Sequence, residues 1–153
     1  MADLMPIRPS NLRATIPGPP VPFARPRFSA GRGYQDPAYA AWKRGAALIL
    51  RAAGGGRSLA RQPLALEVHV FHPRPKARPA HVDRLTWSAG VCCYAITTKD
   101  LDNIIKAVAD ALQDGGVIAD DRWLVQIVGT SWYAPSFGTV GVDVSITQLQ
   151  EQP

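Results

Sequence analysis

The hydrophobic pattern changes period several times along this chain, and each change predicts an element. Leu12 to Ile16 reads as a short first strand. From Pro37 to Gly54, residues Ala38, Trp42, Ala46, Ile49 and Ala53 recur at helical spacing. Asp36 stands where a cap belongs, Pro37 takes the first helical position, and glycines 54–56 end the segment. Leu64 to Phe71 alternates, with Leu66, Val68 and Val70 set against Glu67 and His69, and predicts a strand. Leu101, Ile104, Ile105, Val108 and Leu112 return to the 3.6-residue period and predict a second helix. Its cap is Asp100, its first turn holds Asp102, and Gly115 and Gly116 stop it. Residues 123–133 and 139–146 read as two strands joined by a turn at Pro135–Gly138, a β-hairpin. The order β-α-β-α-β-β predicts an α/β fold of the α+β type, with helices packed on one small mixed sheet.

The connections refine this outline. Residues 1–11 and 148–153 read as tails flanking one domain at 12–147. Residues 17–34 hold five prolines and three glycines, which excludes a helix there. Residues 73–98 are too long for a tight connection. Their first part, 73–90, is a basic, proline-rich loop, and VCCYAI after it adds a short strand or lines an approach to the next helix.

Composition narrows the class. A chain of 153 residues with 46% hydrophobic content can bury the core of one ordinary domain. It has no run of 18 apolar residues to span a membrane, and its start lacks the apolar stretch of a secretory signal. Cys92 and Cys93 are adjacent, unsuited to a mutual disulfide or to a spaced zinc pattern. A reducing, cytoplasmic setting is expected. His69 and His72 fit no familiar ligand spacing, and His69 suits a surface or hydrogen-bonded core position. Glycine fingerprints for dinucleotides or nucleotide phosphates are absent, as is a calcium loop of EF-hand type.

Charge is unevenly divided. The formal net charge of +5 is the balance of about +10 over residues 1–84 and about −5 over the remainder. A basic half suits a polyanion such as nucleic acid, or simply makes a soluble surface. In residues 17–34, Arg25, Arg27 and Arg32 interleave with Phe23, Phe28 and Tyr34, so a loop can offer guanidinium forks to phosphates while its rings pack or stack. Lys43 on the first helix and Arg74, Lys76 and Arg78 in the long loop extend the candidate DNA-binding set.

The acids concentrate elsewhere. Six of the twelve lie between Lys99 and Asp121. Asp100 and Asp102 open the second helix, and Asp120 and Asp121 follow its glycine stop. If the chain folds back, the four carboxylates converge on a hard cation such as Mg²⁺, which takes oxygen ligands beside phosphate. Lys106, one turn beyond Asp102, can pair with it or with a phosphate. Asp110 and Asp114 are weaker ligand candidates. The plainer alternative is an ordinary helix start followed by an ordinary acidic turn.

The combination DLDNIIKA at 100–107, DAL at 110–112 and DD at 120–121 resembles the RusA family of Holliday junction resolvases, as does PGPPVPFARPRFS at 17–29. The resemblance covers nearly all of residues 12–147. It implies a homodimeric, Mg²⁺-dependent endonuclease, with Mn²⁺ as a substitute ion, that cuts four-way DNA junctions symmetrically. It implies Asp100, Asp102 and Asp121 as catalytic metal ligands, Asp120 as the accompanying acid and Lys106 as the essential basic residue. An inactive DNA-binding accessory protein and a broader flap or fork nuclease are the alternatives. The long 73–98 region departs from compact members of the family.

Overall fold

A computed structural model describes residues 11–59, 61–96 and 100–150. Its elements are β1 (Leu12–Pro17), β2 (Arg27–Ser29), β3 (Arg32–Tyr34), α1 (Pro37–Ala53), β4 (Leu64–His72), α2 (Arg84–Ser88), β5 (Cys93–Tyr94), α3 (Leu101–Asp114), β6 (Leu124–Tyr133) and β7 (Gly141–Gln148). A 3-10 turn at Asp121–Trp123 leads into β6. The tails at 1–10 and 151–153, and the end of the 73–98 stretch at 97–98, lie outside the described residues. Asn11 belongs to the fold: its backbone N–H donates to Ile146 and its side chain bonds Gln148. Among the described residues, no helix is long and apolar enough to cross a membrane.

Five strands form one mixed sheet in the order β1-β7-β4-β6-β5. The alternation in β4 puts Leu66, Val68 and Val70 on one face, fully buried. They sit in register with Ile146, Val144 and Val142 of β7. Over this face lie α1 and α3, which contribute Ala46, Ala47 and Leu50 and Ile104, Val108 and Leu112 to a single core. Each fully buried aliphatic chain of this kind stabilises the fold by roughly 1.5–3 kcal/mol before entropy is counted. The opposite face stays open and polar, with Arg13, Thr15, Glu67, His69, Asp143 and Ser145 around a shallow cavity. One covered and one solvated face is what the alternating strands require.

The expected hairpin of the last two strands does not form. β6 runs parallel to β4, β7 runs antiparallel to it, and β4 lies between them. The turn after β6 therefore leads across β4 rather than back along β6. Alternation identifies strands and their faces, but a central strand with two open edges can accept either neighbour on either side.

The proline-rich 17–34 stretch holds a hairpin instead. β2 and β3 pair as their own two-stranded sheet through a turn in which Ala30 and Gly31 both have positive φ. A two-residue turn of this kind matches the strand twist. Within α1 the buried face is Tyr39, Ala46, Ala47 and Leu50, with Trp42 and Ile49 partly buried, whereas the expected Ala38 and Ala53 are exposed. The larger Tyr39 and Leu50 claim the core and turn the small alanines outward.

The long 73–96 connection is ordered by short-range bonds. Asp83 caps α2 by accepting from the Thr86 backbone N–H at 2.9 Å and the Thr86 hydroxyl at 2.5 Å. These bonds hold the Asp83 carboxyl below the usual carboxylate range. β5 pairs with the end of β6, and Tyr94 stacks on Trp132 with ring centroids 4.2 Å apart.

Candidate functional site

The first turn of α3 is the centre of the acidic stretch. Asp100 occupies the N-cap position with extended dihedrals, but its carboxylate caps no helical N–H. Its Oδ2 instead lies 3.4 Å from the Asn103 side-chain amide. Asp102 sits in the same turn and is exposed. Both negative charges lie at the positive end of the helix dipole, which favours them there. The Asn103 carbonyl accepts from the Phe23 backbone N–H at 3.0 Å, so the chain entering β2 is pinned to this turn.

Lys106 follows one turn later. The expected Asp102–Lys106 pair does not form: the ion pairs among the described residues are Lys43–Asp114, His69–Glu67 and Arg122–Asp120. The Lys106 ammonium lies 4.9 Å from the centre of the Phe23 ring. The ring, fixed by the Asn103 bond, offers its negative face to the cation. Lys106 is thereby held near the acidic turn without being neutralised by it.

Farther along α3 the carboxylates serve packing. The Tyr39 hydroxyl donates to Asp110 at 2.8 Å, and Lys43 lies 3.0 Å from Asp114. Both contacts join α3 to α1. Burial first, then the Asp110 bond and the nearby charges of Asp110 and Asp114, push the Tyr39 phenol well above its ordinary value. Sequence reasoning did not single out Tyr39; its signal was its place in the first turn of a helix with an apolar face.

The chain returns from α3 through buried Val117 and Ile118, and the 3-10 turn packs against the helix. Asp120 caps that turn by accepting from the Arg122 N–H at 2.9 Å, with Arg122 Nε 3.9 Å from its other oxygen. Asp121 is exposed beside it. Among the described residues no three His, Cys, Asp or Glu side chains come close enough to hold one metal ion. Asp100 and Asp102 lie at the start of α3, and Asp120 and Asp121 at the 3-10 turn that packs against that helix. Each pair is fixed by its own local structure, a helix start and a 3-10 turn.

The basic candidates divide in the same way. Arg25, Arg27, Arg32 and Lys76 are exposed. Arg74 is half-buried and engaged by the protein itself: it donates to the carbonyls of Trp87, Val91 and Ala134 at 2.6, 3.0 and 3.4 Å and stacks 3.7 Å over the Trp87 ring. Arg78 donates to the Val82 carbonyl. Lys43 is paired with Asp114. Carbonyl groups left by the irregular 73–96 connection need donors, and the nearest guanidiniums supply them.

A family profile described as Endodeoxyribonuclease RusA matches residues 17–147, most of the chain. The chain belongs to the RusA family. The match takes in the segment leading to β2, the acidic α3 and both strands that follow, so the resemblance carried by those motifs holds across the domain. The compact mixed sheet with packed helices is the RusA architecture, and the protein is an endodeoxyribonuclease of the junction-resolving kind. No curated protein matches it. RusA enzymes generally depend on Mg²⁺. The donor chemistry here suits that ion: carboxylate oxygens alone, at a helix start where no capping bond engages Asp100. Asp100 and Asp102 at the start of α3 and Asp120 and Asp121 at the 3-10 turn are the carboxylates that could supply such oxygens.

Proposed function

We propose that this RusA-family protein resolves four-way DNA junctions in a Mg²⁺-dependent reaction, as a homodimer, with Asp100, Asp102 and Asp121 as metal ligands. Asp120 accompanies Asp121, and Lys106 supplies the positive charge beside the scissile phosphate. The observation that carries this reading is the first turn of α3. There Asp100 makes no cap bond, Asp102 makes no ion pair among the described residues, and Lys106 stands one turn away over Phe23.

When bound, Mg²⁺ would activate a water and stabilise charge on the phosphodiester. The chain's own residues bind and orient. Lys106 meets a phosphate oxygen as a compact cation, and the exposed Arg25, Arg27, Arg32 and Lys76 hold neighbouring phosphates. Four-way junctions need two paired nicks, and a two-fold dimer places one site on each of two strands. The two cysteines are free, in keeping with the reducing cytoplasm we assign to it.

The test compares four-way, three-way, flap and linear DNAs in one assay with Mg²⁺, then with Mn²⁺. Symmetric paired nicks confined to the four-way junction are expected with either ion. Equal cutting of flaps and forks would show a broader nuclease. Junction binding with no cutting would show an accessory protein.

A further inference from the structure

The hairpin of β2 and β3 projects from the domain as a separate two-stranded sheet, and none of its six strand residues is buried. Cross-strand partners in a hairpin share a face. Arg27 is paired with Tyr34 and Ser29 with Arg32, so one face carries two guanidiniums and a half-exposed phenol. Phe28 is paired with Gly33 and alone occupies the other face. Its ring lies across the Gly33 backbone: a Cβ added at Gly33 would come within 3.1 Å of Phe28 Cε1. The ring is 80% exposed and absent from both hydrophobic clusters.

Lone exposed apolar residues are ordinary. Phe28 differs in the charge around it and in its mounting. Residues 17–35 hold Arg25, Arg27 and Arg32 and no acid, which suits a polyanion. The ribbon is also tied to α3 on both sides. Before it, Phe23 bonds Asn103 and lies against Lys106; after it, Tyr39 bonds Asp110. Five residues of extended chain reach at most ~18 Å, so the Phe28 backbone stands within that distance of Phe23, whose N–H bonds Asn103 in the turn bearing Asp102.

We propose that Phe28 is a stacking wedge for a nucleobase unstacked at the branch point of the DNA, seated on Gly33, while Arg27 and Arg32 on the reverse face hold flanking phosphates. The proposal rests on the branched-DNA reading above. Bases at a branch lack a neighbour on one side and stack on an aromatic face at little cost, whereas in linear duplex every base must first be unstacked. The ribbon thus adds selection for branched over linear DNA to phosphate binding that has no such preference.

The test uses four-way junctions with 2-aminopurine at the branch point, bound by the full chain in EDTA, and linear duplex of the same arm sequence. Wild type should raise branch-point fluorescence on binding. Phe28→Ala should lose that rise and lower the ratio of four-way to linear affinity by about 5- to 150-fold. Phe28→Trp should restore both. Gly33→Val, which displaces the ring from its seat, should behave like Phe28→Ala. An unchanged fluorescence rise and affinity ratio in Phe28→Ala would overturn the wedge and leave the nuclease reading standing. Wild type that neither prefers nor cuts the junction would overturn both.

Discussion

The Tyr39 hydroxyl donates a 2.8 Å hydrogen bond to Oδ2 of Asp110, joining the first turn of α1 to the third turn of α3. Burial and this acidic partner push the phenol above its ordinary value of about 10. The folded state therefore favours the neutral ring. Its contribution is fully present below about pH 10 and is lost as pH rises through the higher folded value. Tyr39→Phe should destabilise by about 1 kcal/mol at neutral pH. Urea unfolding of both proteins at pH 7, 9 and 10.5 should show a constant gap at the first two and a smaller one at the third.

Asp102 and Lys106 test the nuclease reading directly. Asp102→Asn removes the charge of a proposed ligand at an exposed helix position, so folding and junction binding should persist while cleavage is nearly abolished. Full cleavage by that variant in Mg²⁺ would refute the assignment. Lys106→Ala should lower the cleavage rate by about 10²–10³ with a smaller loss of binding, as for removal of one electrostatic stabiliser.

Arg74 and Lys76 are two residues apart and should behave differently. Arg74 bonds three carbonyls and stacks on Trp87. Arg74→Ala should cost about 2 kcal/mol of stability, a fall of roughly 4–8 °C in Tm for a domain of this size. Junction affinity at a temperature where the variant is folded should hardly change. Exposed Lys76, replaced by Ala, should leave Tm alone and reduce the salt dependence of DNA binding by about one phosphate contact.

Gly115, the C-cap of α3, packs against the α1 backbone. A Cβ there would lie 2.7 Å from the Ala47 carbonyl oxygen and 3.2 Å from that of Ala111. Both are backbone atoms and neither can swing away. Gly115→Ala should destabilise by about 1–3 kcal/mol, read from chemical denaturation.

The parts of this protein legible in its sequence are those with local causes. Asp36, Pro37 and the 3.6-residue repeats set both long helices to within a residue or two of their ends. Alternation in Leu64–Phe71 chose the buried face of β4 correctly because that choice depends only on neighbouring residues. The β2–β3 hairpin was missed because its turn is Ala30–Gly31 rather than an Asn-Gly signal, and prolines nearby argued for irregular chain.

The stretch from Asp100 to Asp121 shows both sides of this division. Its helix, its stop, the two acids at the start and the two beyond the end follow from residue types and spacing, since caps, dipoles and glycine stops act within a turn of chain. What Lys106 rests against, which arginines are occupied by carbonyls, and whether β6 and β7 pair were decided by the tertiary structure alone. Each depends on a group distant in sequence: Phe23 for Lys106, the 87–91 carbonyls for Arg74, and β4 for the two last strands. A hydrophobic pattern fixes which side of an element turns inward, but it carries no information on which distant partner arrives there.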